Sequence, residues 1–404
     1  MDTGKRDNPL IIYVTMSLDM GGTEKHLSLI APRLKERGWT PVIFCLWRRG
    51  RLAPALEKAG VEVIGRSGSE QERWRGLARI PALAISLIRL MTLVWRRQPQ
   101  IMHFYLPLAY MLGAPTAIFS RVPVKVMSRR SLNIYQRQMP MVSRIERWLH
   151  ARMTALLGNS KQVAHELIDQ EHCPPDKVGL IYNGTDLAAI AAATPLDLST
   201  LNIPAGSFVM IMVANLIPYK GHADLLEALA GIAAKMPFPW RLLCVGRDQG
   251  YGDHLRQQTT KLGLANNVCF LGERTDVPQL LKAANIGVLS SHEEGFSNAV
   301  IEGLAAGLPM IVTDVGGNAE AVTDGETGLV VPPRDPSALG GAILQLATHP
   351  ELRSRMAEAA RARAASEFTI ESCVEKYDRL YRGLLNCQKP GQIDGVRFSP
   401  YGTK

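Results

Sequence analysis

Short runs of apolar residues alternate along most of the chain with longer segments whose apolar residues recur every three or four positions. Leu10–Met16 is the first such run, and Thr23–Arg37 is the first segment with helical spacing, followed directly by Gly38. Buried strands and amphipathic helices have these two periodicities. Further strands are predicted at Pro41–Leu46, Val61–Gly65, Ile101–Phe104, Val124–Ser128 and Ala155–Gly158. The repetition predicts β-α-β units, in which helices cover both faces of a parallel sheet.

A change of composition near the middle of the chain divides this pattern into two series. Residues 189–206 begin with an Ala-rich run and continue through Thr-Pro to Asn-Ile-Pro-Ala-Gly, and the second series begins at Phe208. We therefore predict a first domain over residues 1–188, a linker over 189–206 and a second domain over 207–369.

The last part of the chain has a different character from the two alternating series. Its residues have helical spacing as far as Cys387, and polar residues follow. We expect a helix over residues 370–388 to complete the first domain, and residues 389–404 to form a mobile tail.

The predicted fold class follows from these two series. It is α/β, with two doubly wound, Rossmann-like domains that face each other across a central cleft. In such sheets, ligands bind beyond the carboxyl ends of the strands.

Composition supports a globular protein with an uneven charge distribution. The 404 residues are 46% hydrophobic and 21% charged, and the formal net charge is +9. Between Arg73 and Arg152 there are 14 basic residues and one acid, Glu146. Basic amphipathic helices that contain Trp are typical of anionic membrane surfaces. We predict peripheral membrane contact through residues 73–152, with a helix packed on its own sheet as the alternative, and we expect no nucleic-acid partner.

Three further features bear on location. The first nine residues do not have the shape of a signal peptide. The longest apolar stretch, Ala82–Trp95, is shorter than the roughly 20 residues needed to span a bilayer. The six cysteines are scattered and have neither disulfide nor metal-binding spacing. We therefore expect a cytoplasmic protein, peripheral at the inner face of the cytoplasmic membrane where it contacts one.

The segment from Ser290 to Pro309 contains the most informative spacing. Glu294 lies in a predicted loop just before a helix, and Glu302 lies within that helix. A helix N-terminus offers unpaired N–H groups to a phosphate, while carboxylates accept hydrogen bonds from sugar hydroxyls. The alternative is that Glu294 is an ordinary acid at a helix start, which the helix dipole favours.

This segment resembles the E-x7-E signature of retaining glycosyltransferases of family 4, which have the GT-B fold. Other blocks that resemble the family are Gly21–Glu24, Pro99–His103, Asn183–Asp186, Val213–His222, Val245-Gly246, Phe270–Gly272, Thr313–Glu320 and Gly328–Val330. The resemblance extends over nearly the whole chain to about Leu384.

The resemblance implies a role for each matching residue. Glu302 is expected to bind the ribose of a nucleotide, Glu294 to hold the donor sugar, and Lys220 to neutralise the diphosphate. His103 is expected to contact the donor sugar, so Glu294, His103 and Lys220 are the predicted catalytic residues. The other predicted donor-binding residues are Gly295, Phe296, Ser297, Asn298, Asn215, Gly246, Arg247 and Gly272. Gly21, Gly22 and Arg129, with its neighbour Arg130, are predicted to approach an acceptor or its phosphate.

One position departs from the family pattern. Asn215 stands where the family commonly has Arg, so one positive charge is missing beside the predicted diphosphate. Arg247 is a candidate to compensate, and a solvent-facing arginine at a strand end is the alternative.

Together these features predict a metal-independent retaining glycosyltransferase. No D-x-D motif is present in the sequence, so we predict no metal and no cofactor. The predicted donor is a nucleotide sugar, UDP-linked in the first place and GDP-linked as the alternative. The predicted acceptor is a lipid-linked saccharide or an oligosaccharide of cell-surface polysaccharide synthesis.

Three other functions are compatible with parts of this pattern. A nucleotide-sugar 2-epimerase or hydrolase would use the same fold, and a non-catalytic sugar-nucleotide binding protein would need fewer of the same residues. An NAD-dependent oxidoreductase fits poorly, because the turn after the first strand lacks G-x-G-x-x-G.

Overall fold

The computed structural model describes residues 8–19, 21–67, 79–133, 136 and 139–398. The chain divides into two compact units. Unit 1 comprises residues 1–183 and 370–404, and unit 2 comprises residues 184–369.

Unit 1 contains a seven-stranded parallel sheet with the strand order β3-β2-β1-β4-β5-β6-β7. Its strands are β1 (Leu10–Thr15), β2 (Thr40–Cys45), β3 (Glu62–Ile64), β4 (Ile101–Tyr105), β5 (Val124–Arg129), β6 (Ala155–Gly158) and β7 (Val178–Leu180). Its helices are α1 (Gly22–Glu36), α2 (Ala53–Lys58), α3 (Arg79–Arg97), α4 (Pro107–Phe119), α5 (Pro140–His150), α6 (Lys161–Asp169) and the C-terminal Ile370–Leu385.

Each face of this sheet is covered by its own hydrophobic core. Alternate residues of β1 belong to opposite cores, because successive side chains of a strand point to opposite faces. One core includes residues of α1 and of the helix Ile370–Leu385. The other includes residues of α3, α4 and α5. Because one core packs on each face of the sheet, β1 is buried along its whole length.

Unit 2 contains a six-stranded parallel sheet with the strand order β10-β9-β8-β11-β12-β13. Its strands are β8 (Phe208–Val213), β9 (Trp240–Val245), β10 (Val268–Gly272), β11 (Ile286–Leu289), β12 (Met310–Thr313) and β13 (Gly328–Val331). Its helices are α7 (Leu187–Ala192), α8 (His222–Ile232), α9 (Gly252–Lys261), α10 (Val277–Ala283), α11 (Asn298–Ala306), α12 (Asn318–Ala321), α13 (Pro336–Thr348) and α14 (Pro350–Glu367). The helix Ile370–Leu385 of unit 1 is therefore α15.

These two sheets confirm the predicted fold class of two Rossmann-like α/β domains. The observed boundaries differ from the predicted ones. Residues 189–206 do not form a separate linker, because α7 packs on α10 and α11 and Leu196 N donates to Gln279 O over 3.1 Å. Unit 2 accordingly begins at Gly184, and α15 belongs to unit 1.

The prediction of a mobile tail from residue 389 is wrong for the described part of that segment. Ile393, Val396 and Phe398 are at most 7% exposed, and Leu180 N donates to Val396 O over 2.9 Å. The polar composition of the segment obscured three apolar residues that cover the edge strand β7. Residues 399–404 lie outside the described residues.

No helix among the described residues is long and apolar enough to cross a membrane.

The packing of the C-terminal segment predicts a stability effect. The double substitution Ile393→Ala and Val396→Ala should lower the free energy of unfolding of unit 1 by about 4 kcal/mol, because both side chains are buried. The exposed neighbour Asp394→Ala should change it by less than about 0.5 kcal/mol. Calorimetric unfolding measures both effects, and equal stabilities of the two variants would contradict the observed packing.

Candidate functional site

The strand order of unit 2 places its candidate site at the centre of the sheet. β8 and β11 are neighbours, but β8 connects onward to β9 on one side and β11 to β12 on the other. The two loops that leave their carboxyl ends therefore diverge. A crevice at such a switch point is the usual ligand site of a doubly wound sheet.

The loop after β8 ends in a turn that only glycine can complete. Pro218–Lys220 forms a short 3-10 helix, and Gly221 follows with φ +72° as the N-cap of α8. A Cβ atom on Gly221 would lie 1.8 Å from the carbonyl oxygen of Ser290. Both the positive φ and the close approach exclude a side chain here.

Hydrogen bonds join this turn to the loop after β11. Ser290 Oγ donates to Gly221 O over 2.8 Å, and His292 N donates to Tyr219 O over 2.7 Å. The His292 ring also bonds Asp224, with Nε2 2.8 Å from Oδ2. Sequence reasoning missed the His292–Asp224 pair, because neither residue forms a recognisable spacing with the other.

The joined loops bring two of the predicted catalytic residues together. Lys220 Nζ donates to Glu294 Oε1 over 2.5 Å, and Ser291 Oγ donates to the same oxygen over 2.8 Å. The side chains of Lys220 and Glu294 are only 18% and 10% exposed. Sequence analysis gave these residues separate roles, whereas the structure shows them as one ion pair.

The loop after β12 holds the backbone of Glu294 from the other side. Gly317 N donates to Gly295 O over 2.7 Å, and a Cβ atom on Gly316 would lie 1.8 Å from Glu294 O. Thr313 Oγ1 donates to Ser291 O over 2.5 Å. The glycine-containing block Thr313–Glu320 therefore acts as a support for the Glu294 loop.

Helix α11 begins directly after this loop. Ser297 is its N-cap, without a side-chain capping hydrogen bond, and Asn298 is its first residue. Phe296 is buried and packs against Phe368 with ring centroids 5.5 Å apart. Glu302 lies one turn further into α11 and is 8% exposed. The positive end of the helix dipole thus points to the same edge of the sheet as the Lys220–Glu294 pair.

The ends of the neighbouring strands bring together the remaining predicted donor-binding residues. Asn215 Oδ1 accepts from Arg247 N over 3.1 Å, and Gly246 N donates to Gly272 O over 2.9 Å. The Arg247 guanidinium also forms an ion pair with Glu273, with Nε 3.4 Å from Oε2. The Asn215 side chain therefore holds the backbone of Arg247 in place, and the Arg247 guanidinium pairs with the Glu273 carboxylate.

His103 lies in β4, the strand that the sequence predicted there, and its side chain is buried. It is fully buried in unit 1, with Nδ1 2.7 Å from Tyr381 Oη and Nε2 2.7 Å from Ser128 Oγ. Burial and the charge of Arg130 lower its pKa well below the usual value. The ring is thus a hydrogen-bonding group of the core in this structure, and the contact between His103 and the donor sugar stays a prediction.

Arg129 is almost fully buried at the end of β5, where it lines a small pocket together with Arg130. It is 4% exposed, and Nη2 lies 2.9 Å from Glu171 Oε2 and 3.3 Å from Glu146 Oε2. Two buried carboxylates already hold the charge of Arg129, and its approach to an acceptor phosphate stays a prediction. Arg130, the next residue, is half-buried, and Nη2 donates to Asn183 Oδ1 over 2.7 Å.

Glu146 and Glu171 also belong to a group of residues whose side chains are of the types that bind metal ions. Ligand atoms of Glu146, His150 and Glu171 lie within 4.8 Å of one another, and all three residues are buried. Burial opposes ionisation of Glu171, but Arg129 and the His150 hydrogen bond outweigh it and lower the pKa of its carboxyl. The guanidinium thus supplies the positive charge that a cation would otherwise supply, and the group is a buried ion network.

Gly21 and Gly22 form the start of α1, as the sequence predicted for a strand-to-helix turn. Gly21 is the N-cap, and a Cβ atom on it would lie 2.3 Å from Oε2 of Glu24. Burial raises the pKa of the Glu24 carboxyl. An acid therefore already faces this helix start, and the predicted approach of a phosphate to Gly21 and Gly22 stays a prediction.

A small pocket in unit 1 lies beside Arg130. It is lined at the carboxyl ends of β4 and β5 by Leu106, Ser128 and Ser131, and at the start of α1 by Thr23. Leu106 has φ +68°, which is strained backbone for a residue of this type. Strain of this kind is often found at functional sites.

Comparison with known proteins gives two adjoining family matches. Residues 20–189 match the model described as Glycosyltransferase Family 4, and residues 196–363 match the model described as Glycosyl transferases group 1.

Individual relatives are more distant. A D-inositol 3-phosphate glycosyltransferase of Salinispora arenicola is 29% identical over 63% of this chain and 57% of its own length. The UDP-Gal:alpha-D-GlcNAc-diphosphoundecaprenol alpha-1,3-galactosyltransferase of Escherichia coli is 27% identical over 74% of this chain and 79% of its own. The first of these matches thus spans less than two thirds of the relative.

The fold is shared more widely than the sequence. Anabaena HepE, crystallised with UDP and glucose, superposes with a TM-score of 0.81 at 22% identity. The superposition covers 93% of this chain and 100% of that protein.

The close approach at Gly221 predicts how the joined loops respond to substitution. Gly221→Ala should lower the free energy of unfolding of unit 2 by at least about 2 kcal/mol, because the new methyl group meets Ser290 O and the positive φ is strained. Gly231→Ala in the same helix should raise it by about 0.5–1 kcal/mol, since a Cβ there meets nothing within 4 Å. Calorimetry compares the two variants, and destabilisation of equal size in both would contradict the special role of Gly221.

Proposed function

Because the chain belongs to the group 1 glycosyltransferases of the GT-B fold, we propose that it is a retaining glycosyltransferase. It moves a hexose or N-acetylhexosamine from a nucleotide diphosphate sugar to a lipid-linked saccharide or an oligosaccharide, in the synthesis of a cell-surface polysaccharide. The named activities of the Salinispora and Escherichia coli relatives support transfer to a small or lipid-linked acceptor.

The Lys220–Glu294 pair beside the start of α11 is the observation that carries this proposal. A cation and the positive end of a helix attract a diphosphate to one edge of the sheet. Lys220 would share its charge between Glu294 and the diphosphate, and Glu294 would then accept hydrogen bonds from sugar hydroxyls. Glu302, buried within α11, would bind the ribose.

The donor is proposed to be a UDP-sugar, with a GDP-sugar as the alternative. Anabaena HepE was crystallised with UDP and with UDP-glucose, and its fold superposes on nearly all of this chain, which supports the choice of UDP.

In the proposed reaction the acceptor hydroxyl attacks the anomeric carbon from the face that the diphosphate leaves. The new bond joins the acceptor oxygen to that carbon, the bond from carbon to phosphate oxygen breaks, and a phosphate oxygen takes the hydroxyl proton. Negative charge grows on the diphosphate as the bond breaks. Lys220 and the α11 amides would stabilise the transition state more than the ground state for that reason.

We propose that protein cations do this work without a metal. The sequence contains no D-x-D motif, and Lys220 pairs with Glu294 in the candidate site. Arg247 is a second candidate cation, since Asn215 fixes its backbone at the neighbouring strand end. It would have to exchange Glu273 for the diphosphate.

The acceptor side of the proposal rests on unit 1. Arg129 and Arg130 both line a pocket at the ends of β4 and β5, and Arg130 is the preferred candidate for an acceptor phosphate because it is the more exposed of the two. A lipid-linked acceptor would keep the enzyme at the cytoplasmic face of a membrane as a peripheral protein.

Donor binding tests the site directly. Lys220→Ala and Glu302→Ala should each weaken binding of the cognate nucleotide sugar about tenfold or more, since each removes a charge-assisted hydrogen bond. Isothermal calorimetry with UDP-, GDP- and ADP-sugars gives the affinities. Lys235→Ala, at an exposed lysine of unit 2, is the matched control and should bind as the parent does.

Two outcomes would count against the proposed site. Unchanged affinity in both variants would remove the nucleotide from this edge of the sheet. Lys220→Ala alone leaves the carboxylate of Glu294 buried without a cation, and adding Glu294→Gln removes that carboxylate. Unchanged affinity in the double variant would therefore assign the effect of Lys220→Ala to misfolding.

Product configuration tests the reaction. Proton NMR of the new linkage should show the anomeric configuration of the donor, and an inverted product contradicts retention. Consumption of donor at the same rate without acceptor would indicate the 2-epimerase or hydrolase instead.

A further inference from the structure

Exposed large apolar side chains are concentrated in one part of unit 1. Of the twelve described side chains in this class, ten lie between residues 85 and 148. They are Ile85, Ile88, Met91, Trp95, Leu108, Phe119, Met139, Met141, Ile145 and Trp148. Scattered exposed apolar residues are ordinary, but a concentration of them marks an interaction surface.

Helix α3 is apolar on two sides. Its inward side is buried in the core through Leu90 and Val94. Ile85, Ile88 and Trp95 are 51%, 65% and 72% exposed, at the helical spacing that places them on the outward side. Folding of unit 1 accounts for the inward side alone, so the outward side requires another explanation.

Helix α5 repeats this arrangement. Leu149 is buried in the same core, whereas Met141, Ile145 and Trp148 are 75%, 46% and 45% exposed at intervals of four and three residues. Helix α4 packs against both α3 and α5, so the three helices lie side by side on one face of the sheet. The ten exposed residues, carried by these helices and by Met139 just before α5, form what we call the outer surface of α3–α5.

Exposed arginines accompany these apolar residues, and the exposed acid Glu62 of β3 pairs with Arg97 at the end of α3. Exposed arginines of the same segment are Arg89, Arg96, Arg121, Arg144, Arg147 and Arg152. Glu146 is the single acid between residues 79 and 152, and it is fully buried beside Arg129. The outer surface is therefore both apolar and positively charged.

We propose that the outer surface of α3–α5 docks on an anionic membrane leaflet. Isoleucine, methionine and tryptophan side chains would enter the boundary between headgroups and acyl chains, and the arginines would pair with lipid phosphates. Tryptophan favours this depth because its ring is apolar and its N–H is polar. The surface gives the membrane association in the proposed function a location, and in that sense the inference rests on the proposed function.

Charge distinguishes this occupant from the main competitors. A symmetric dimer through this surface would bring the arginines of two copies together, and like charges across an interface oppose association. A nucleic acid would match the arginines but leave the isoleucine and methionine side chains exposed to water. An anionic bilayer satisfies both properties at once.

Flotation with vesicles tests the proposal. The full chain should float with vesicles of phosphatidylethanolamine and phosphatidylglycerol, and remain at the bottom with vesicles of phosphatidylcholine alone. High salt should reduce flotation without abolishing it, because salt screens the arginines but does not affect apolar insertion.

Matched variants separate the two contributions. Ile88→Ser with Trp95→Ser should lower vesicle partitioning about tenfold or more, whereas Phe238→Ser, at a similarly exposed residue of unit 2, should leave it unchanged. Arg144→Glu with Arg147→Glu should also lower it about tenfold or more, while Arg355→Glu in unit 2 should have a much smaller effect.

The outcomes that overturn the proposal are specific. Equal partitioning of the surface variants and their controls would exclude this surface as a membrane contact. The proposal also fails if the parent does not float and sedimentation shows a dimer that Ile88→Ser with Trp95→Ser abolishes. Circular dichroism and nucleotide-sugar affinity, measured on each variant, identify any that misfold, and the arginine pair then decides the result. Flotation that persists without any nucleotide-sugar binding would defeat the proposed function and leave the membrane surface intact.

Discussion

The candidate site of unit 2 depends on the contact between the backbones of Gly221 and Ser290. Neither Lys220 nor Glu294 would be positioned without it, because each lies on a loop that leaves the sheet in a different direction. A missing side chain at Gly221 lets the loops meet, and hydrogen bonds from Ser290 and His292 hold them together. Gly316 makes a second close contact behind Glu294. The ion pair is thus the result of backbone packing.

Sequence periodicity was sufficient to predict the fold, because buried parallel strands are short apolar runs that Gly, Pro and polar residues separate clearly. The predicted strand Ala155–Gly158 has the observed bounds, and the predicted strands Ile101–Phe104 and Val124–Ser128 each end one residue before the observed strands do. β7 was missed because three residues with a central glycine give too weak a pattern. The C-terminal segment was misjudged because three buried apolar residues lie among polar ones.

The predicted site residues on loops of unit 2 lie close together, whereas the predicted site residues in two strands of unit 1 are buried. Glu294, Lys220 and Asn215 lie at strand ends, where a parallel sheet brings side chains together. His103 and Arg129 also lie at or near strand ends, but neighbouring helices cover them. Pattern alone does not reveal such covering, since α15 and the Glu171 side chain come from distant parts of the chain. The Arg129 network shows that part of the basic character of the first half serves internal pairing.

Unit 2 is inserted into the sequence of unit 1, and this arrangement has a consequence for synthesis on the ribosome. Within unit 2, Thr185 N donates to Phe368 O over 2.8 Å, so the ends of the insertion meet and it can fold as soon as it emerges. Unit 1 cannot complete its fold as soon as its first segment emerges, because its core needs α15. Tyr377 and Tyr381 of α15 form hydrogen bonds with His26 and His103 in that core. The first 183 residues of a nascent chain therefore cannot complete their fold until α15 has been translated. Premature termination anywhere before α15 would leave that core open and deliver the fragment to chaperones and proteases.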